Sequence, residues 1–411
     1  MTLTGGEQGS ILIPTGFDPG SYSCVRSLAR RGVHTIVASE FENVPASASR
    51  FCDETIRIPP PDDDLLAYRD ALLGIAARRD VRTIVPLRPH DPYLFSKYHE
   101  EFERYVSLVT PPFETLTTVH DRLHLAEAAE HAGVPVPETR SLDDIEVWDA
   151  ELIVKSRYNI LTDEYVESFA PSESKVVKHV KHVSPGEEPD RDAICEEMGH
   201  VPIVQEYVRS SDEYVFGALY DHGEPLGTFQ HRQIRGNSYT GGGGVYRESV
   251  SIPALEAVGR TLLDSLDWHG LACIEYMKDA NTGEFVLTEI NPRLWQSLPC
   301  AVRTGADFPY YYWQQAMGLS ELIEPTYRVG VGSHLLYGEL GYLLSVLRED
   351  SSLVERPSLP ATIREILSSC YEMPYFDTVR IDDPQPFFRG VRHVLTKNRW
   401  YGRRVRQTQR R

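Results

Sequence analysis

The sequence predicts an α/β front domain, a larger α+β region, and a mostly helical C-terminal extension. Three observations predict it. Strand and helix signals alternate from residue 10 to about residue 112, strand-like segments follow one another after residue 137, and helical patterning returns from about residue 327. The 411 residues are 41% hydrophobic, 25% charged and 10% aromatic, which excludes collagen-like repeats, extended disorder and a small disulfide scaffold. A chain of this length suits two or three domains.

In the front domain Ile11-Leu12-Ile13 reads as a buried strand, Thr15–Gly20 as a loop, Ser23–Arg31 as a helix and His34–Ala38 as a second strand. This βαβ unit implies a parallel sheet. A helix over Leu65–Arg78, a strand over Arg82–Pro86 and a helix after Asp91 continue the alternation, so residues 1–112 are expected to form a doubly wound domain. The loop Gly16-Phe17-Asp18-Pro19-Gly20 lacks GxGxxG spacing, so a dinucleotide oxidoreductase rests on the first βαβ alone.

A helix is expected over Val119–Ala132, closed by Gly133, and Val134-Pro135-Val136-Pro137 is stiff and extended. Strand-like pieces then run over Leu152–Lys155, Lys175–Val180, Ile203–Val208, Tyr214–Leu219, Pro225–Arg232, Leu271–Lys278 and Glu284–Asn291, with helices over Asp190–Met198 and Pro253–Leu266. An accessory extension is expected over 326–411.

With 42 basic and 60 acidic residues the net charge is −18, which disfavours nucleic acid as partner. Six cysteines without a CxxC pair fit reduced thiols and argue against a zinc ribbon. No apolar run approaches the roughly 20 residues of a membrane span, and Met1–Ser10 lacks the basic and apolar regions of a signal peptide. A cytoplasmic location is the expectation.

Three patches carry candidate chemistry. In the first, a hairpin joins Leu271–Lys278 to Phe285–Arg293. If Met277 faces Leu287, then Glu275 faces Glu289, and period-two alternation puts Asn291 on the same face as Glu289. Like charges directly opposite are destabilising unless a cation lies between them, and an all-oxygen set suits Mg²⁺ or Mn²⁺. The alternative turns Glu275 to solvent. In the second, the strand ending Gln205-Glu206-Tyr207-Val208 is followed by Glu213, a pattern able to read an adenine edge and hold ribose, or an amphipathic strand with ordinary surface acids. In the third, Lys155 ends an apolar strand. Of the seven lysines, Lys155, Lys175, Lys178 and Lys181 fall within 27 residues, as a polyphosphate-facing surface would require. A strand-end lysine otherwise snorkels into water.

In order and spacing, these pieces resemble the ATP-grasp superfamily of ATP-dependent carboxylate–amine and carboxylate–thiol ligases, from about residue 10 to residue 300. The resemblance implies a Rossmann-like front domain over 1–112 and a two-lobed ATP-grasp domain, with lobes over 113–200 and 201–325, that closes on ATP. Asp121-Arg122 with Gly133–Pro137 resembles the family's linker, where a lysine often stands at the place of Arg122. Lys155 looks like the lysine that touches the α- and β-phosphates. Gln205, Glu206, Tyr207 and Val208 resemble the adenine-binding hinge, and Glu213 the ribose-binding acid. Glu275, Glu289 and Asn291 look like the Mg²⁺ ligands, with Glu289-Ile-Asn291-Pro-Arg293 the most specific match.

Two departures stand out. The loop Tyr158–Ser174 has no glycine, whereas Gly241–Gly244 follows Arg232 and Arg235. That run reads as a lid over the γ-phosphate or as a plain turn between strands. The implied activity is a Mg-ATP-dependent carboxylate–amine ligase that passes through an acyl phosphate and releases ADP and phosphate. In it Arg232, Arg235 and Arg293 supply fixed positive charge, and Phe17, Asp18, Arg88, His90 and Asp91 are candidates to read the substrates. A kinase- or carboxylase-like variant and a non-catalytic ATP sensor are the alternatives. Small-molecule carboxylate and amine substrates and a homodimer are the expected partners. Val391–Arg411 is basic with no acid, and reads as a solvated tail or as a peripheral contact with anionic lipid.

Overall fold

The structure is a computed structural model. It describes residues 9–177, 179–351 and 354–408, without the side chains of Ser211 and of residues 397–408. Most of the N-terminal decapeptide, Lys178 of the lysine cluster, and the side chains of the basic tail from Lys397 onward therefore lie outside the described residues.

The first sheet contains β1 (Ser10–Pro14), β2 (His34–Ser39), β3 (Glu54–Arg57) and β4 (Val81–Ile84), all parallel, in the order β3-β2-β1-β4. Ile11, Leu12 and Ile13 are fully buried, as a central parallel strand covered on both faces requires. The edge strand β3 is absent from the sequence expectation because its four residues are half-exposed and short. The first helix spans Pro19–Ala29, earlier than expected: Pro19 is pre-set for a first helical position, and the Asp18 side chain accepts from the Gly20 N–H.

The single helix expected over Val119–Ala132 is two helices, Phe113–His120 and Arg122–His131. Asp121 breaks them apart with φ −90° and ψ 106°, and accepts from the Leu123 N–H at 3.0 Å. It acts as the N-cap of the second helix.

The second sheet, β5 (Thr139–Ser141), β6 (Leu152–Lys155), β7 (Val180–Val183) and β8 (Ile203–Glu206), is antiparallel in the order β5-β8-β6-β7. The strand expected over Lys175–Val180 begins only at Val180, and Lys175 instead bridges to Leu161.

The third and largest sheet holds β9 (Ser210–Asp221), β10 (Glu224–Ser238), β11 (Gly241–Val250), β12 (Gly270–Asp279), β13 (Phe285–Asn291) and β14 (Gly332–His334), in the order β13-β12-β9-β10-β11-β14. On one face the helix Pro253–Ser265 sets Leu255, Leu262 and Leu263 against Phe216, Ile274 and Ile290. Gly259 permits this approach, since a Cβ there would lie 2.6 Å from the Phe216 ring. On the other face Val215, Leu219 and Phe229 share one core with Ile11, Ile13 and Val25 of the first sheet and its helix. That common core fixes the first sheet against the third.

Three helices follow β14: Leu336–Arg348, Leu359–Glu372 and Gln385–Thr408. Among the described residues no helix is long and apolar enough to cross a membrane.

Candidate active site

A cleft of about 1060 Å³ opens between the first sheet, the second sheet and the β12–β13 hairpin. Along that hairpin Lys278 pairs with Phe285, Met277 with Val286 and Tyr276 with Leu287. Beyond a register shift Glu275 pairs with Glu289, Ile274 with Ile290 and Cys273 with Asn291. Met277 thus faces Val286, not Leu287. Thr288 is the extra residue of a β-bulge, and its Oγ1 donates to the Glu275 carbonyl at 2.9 Å. The two glutamates are directly opposite, and Glu275, Glu289 and Asn291 all line the cleft.

The two carboxylates are electrostatically unequal. Glu275 is open to the cleft yet set deep among protein atoms. Burial, and then the charges of Glu289 and Glu213, push its carboxyl up to about 7 against the pull of Arg293 and Lys155. Burial would raise Glu289 as well, but there the charge and hydrogen bond of Arg122 win, helped by Lys155 and Asn291, and the carboxyl falls to about 2. Arg122 Nη2 donates to Glu289 Oε2 at 2.6 Å, and Asn291 Nδ2 to Glu289 Oε1 at 2.7 Å. Arg293 Nη2 donates to Asn291 Oδ1 at 3.3 Å.

Lys155 does not snorkel into water. It points from the end of β6 to the Thr288 carbonyl at 3.4 Å, and burial followed by the Arg122 charge lowers its amine to about 8. Glu213, on β9, accepts from Gln233 Nε2 at 2.5 Å, and burial raises its carboxyl. Two carboxylates and an amide oxygen on one wall fit a hard divalent cation, and Glu213 adds to the negative charge. Each Glu289 oxygen accepts one hydrogen bond and keeps a second lone pair for an ion.

Other expected residues lie elsewhere. Among the described residues lining the cleft, Gln205, Glu206, Tyr207 and Val208 do not appear. Gln205 is buried, with Nε2 on Thr139 Oγ1 at 2.7 Å, and Glu206 is exposed. The N–H groups of Glu206 and Tyr207 are spent on the carbonyls of Glu138 and Glu151, both at 3.1 Å.

Arg232 and Arg235 are also outside the cleft. Gln233 holds the cleft-facing position on β10, so its neighbour Arg232 turns to the opposite face and pairs with Glu248 at 3.3 Å. Arg235 is buried with Glu339 at 2.8 and 2.9 Å and bonds Glu365 at 2.9 Å, which ties β10 to the C-terminal helices. Of the three arginines expected to supply charge, Arg293 lines the cleft.

The glycine run is not a free lid. Gly241 opens β11 in a paired hairpin, and the tip is anchored to the helix Leu336–Arg348 and the residue that follows it, with the Tyr239 N–H on Ser345 Oγ at 3.0 Å and the Tyr239 hydroxyl on the Glu349 carbonyl at 2.8 Å. Gly242, Gly243 and Gly244 do line the cleft. Sequence reasoning missed Gln233, Asn159 and His120. The signal for Gln233 was strand alternation about Arg232. Asn159 bonds the Ile290 carbonyl at 3.0 Å, and buried His120 is held neutral, down to about 3, first by desolvation and then by Arg122; neither left a pattern in the sequence.

No family model and no curated protein matches the chain. Solved structures do. N5-carboxyaminoimidazole synthetase from Staphylococcus aureus superposes with a TM-score of 0.55 at 13% identity, over 79% of this chain and 80% of that one. The chain has the ATP-grasp fold. Two further ATP-grasp structures bear this out. L-amino acid ligase from Bacillus licheniformis gives a TM-score of 0.54 at 17% identity, over 77% of both chains. The biotin carboxylase domain of 2-oxoglutarate carboxylase from Hydrogenobacter thermophilus, in complex with MgADP and bicarbonate, gives 0.56 at 15% identity, over 78% of this chain and 73% of that one.

Proposed function

We propose that this protein is a Mg-ATP-dependent ligase that activates a carboxylate as an acyl phosphate and joins it to an amine, releasing ADP and phosphate. The observation that carries the reading is the direct pairing of Glu275 with Glu289 on the wall of a cleft also lined by Arg122, Lys155, Arg293 and Asn291. Two acids held face to face on a cleft wall cost stability, and a nucleotide-bound divalent cation makes that arrangement useful.

Glu275, Glu289 and Asn291 would hold Mg²⁺ or Mn²⁺, which when bound supplies charge neutralisation at the phosphates. Lys155 and Arg122 add fixed positive charge to the same wall, and Glu213, which accepts from Gln233, would take ribose hydroxyls. Arg293, on the next turn of chain, orients Asn291. No nucleophilic Ser or Cys is required, because positioning and electrostatics supply the rate. The reading carries with it the division into a Rossmann-like domain over 1–112, lobes over 113–200 and 201–325 and an accessory extension over 326–411, small-molecule substrates, and a homodimer.

The test is product analysis with Mg-ATP across small carboxylates and amines. ADP with phosphate supports the proposal; AMP with pyrophosphate overturns the acyl-phosphate route. A carboxylase-like variant is favoured by one observation, the similarity to a biotin carboxylase domain in complex with bicarbonate. ADP release that depends on bicarbonate and not on an amine would select it.

A further inference from the structure

At the far end of the large sheet, the β9–β10 turn meets the segment entering β12. Asp221, His222 and His269 come together there, with one ligand atom from each lying within 4.8 Å of the others. We infer that these three side chains form a binding site for a divalent transition-metal ion of the zinc type, separate from the carboxylate pair of the cleft.

The spacing is the first argument. A tetrahedral ion with bonds of about 2.0–2.1 Å separates its ligand atoms by roughly 3.4 Å. His269 Nδ1 and Asp221 Oδ1 stand 3.3 Å apart, the required spacing, and an ion bound there displaces the 3.4 Å hydrogen bond that Nδ1 accepts from the His222 N–H. His222 Nε2 is 4.0 Å from the same oxygen, too wide by roughly 0.6 Å. The two imidazoles are stacked with centroids 4.1 Å apart, so His222 is the ring that must turn. Its side chain is 72% exposed and that of His269 only 14%, so the mobile ligand is the one with room to move.

The backbone is the second argument. His222 and Asp267 are the two non-glycine residues at positive φ among those described, both at 45°, and they sit in the two loops that build the cluster. The Gly223 N–H bonds the Trp268 carbonyl at 2.8 Å, and Tyr220 pairs with Gly270, which locks the loops together. Costly left-handed backbone at both loops holds the three ligands in register. The donor set is two imidazoles and one carboxylate, which suits Zn²⁺, Ni²⁺ or Cu²⁺ rather than Mg²⁺. Asp221 stands eight residues from Glu213 along β9, about 27 Å at the rise of a strand, so the two sites are independent.

The test uses the tag-free full chain, stripped by chelator and returned to excess Mg²⁺ so that the cleft carboxylates are occupied. Zn²⁺ is titrated against a chromophoric chelator, and Co²⁺ is followed by its visible bands. The expected result is one zinc per chain, affinity at least about tenfold weaker in His222→Ala and Asp221→Asn, loss in the His222→Ala/His269→Gln double variant, and no change in Glu289→Gln. Since His222 and Asp221 are on the surface, their variants keep the test open if His269→Gln misfolds. Zinc binding by His222→Ala and Asp221→Asn equal to that of the unaltered chain overturns the inference, as does a failure of the unaltered chain to take up zinc.

Discussion

Replacing Glu275 and Glu289 one at a time should move stability in opposite directions, although the two acids face each other on adjacent strands. Glu275 carries a penalty. Lifting a carboxyl from 4.5 to about 7 corresponds to ~3 kcal/mol if fully desolvated, and its exposure to the open cleft screens this to about 1 kcal/mol. Its folded value lies above its unfolded one, so its contribution is intact below pH 4.5 and is lost as pH rises through about 7. Glu275→Gln escapes that loss and should be about 1 kcal/mol more stable at pH 8, with the gain gone at pH 4. Glu289 is depressed to about 2, so its contribution is present above 4.5 and lost only as pH falls toward 2. Glu289→Gln strips the charged partner from Arg122, whose side chain is 10% exposed, and should cost about 2 kcal/mol at pH 8. Urea denaturation in chelator at pH 4 and pH 8 measures both. Shifts of the same sign at pH 8, or a gain for Glu275→Gln that persists unchanged at pH 4, would refute the reasoning.

Three further outcomes are expected. Glu289→Gln should abolish turnover while Glu206→Ala, at an exposed position outside the cleft, leaves it near the unaltered rate; comparable losses in an ADP-release assay would contradict the site assignment. The Lys155 amine, lowered to about 8 first by burial, loses its charge as pH rises through that value, so KM for ATP should climb between pH 7 and 9. A Lys155→Met chain should show a high and flat KM over the same range. Asp377→Ala removes the partner of Arg247, a pair 2.5 Å apart with both side chains fully buried, and should destabilise the chain by about 3–5 kcal/mol in denaturant.

The sequence made four strands of the third sheet legible, β9, β10, β12 and β13, because they are long and half-buried and their alternation survives a bulge; β11, which opens on four glycines, and the three-residue β14 were not expected. It was poorer where a short polar segment decides structure. β3 has four residues, and Asp121 reads equally as a first-turn acid or as the cap that splits two helices. The carboxylate pair was legible from strand alternation with Met277 set opposite Leu287, a register that holds only beyond the bulge, whereas Arg232 and Arg235 were assigned by their nearness to the glycine run and not by strand parity. Gln233, not Arg232, faces the cleft, and the irregularity after Gln233 sends Arg235 into the acids of the C-terminal helices, whose positions no local pattern encodes. Lys155 was visible as a lone lysine on an apolar strand, but its burial depends on the opposing hairpin, which is distant in sequence.

Thr288 shows how closely the site depends on one residue of backbone. Near the turn, paired residue numbers sum to 563; extended unbroken, that register would set Glu275 against Thr288 and Glu289 against Ile274. Neighbouring positions on a strand point to opposite faces, so the two acids would then be divided between the cleft and the apolar core beneath the helix Pro253–Ser265. The bulge raises the sum to 564 and brings both acids to the cleft, at the cost of one interrupted ladder position. Two contacts offset that cost: the Thr288 hydroxyl caps the Glu275 carbonyl, and the Thr288 carbonyl receives the Lys155 ammonium. The residue that breaks the ladder therefore also fixes the lysine beside the acids, so a hairpin without the bulge would lose the paired carboxylates and the placement of their counter-charge together.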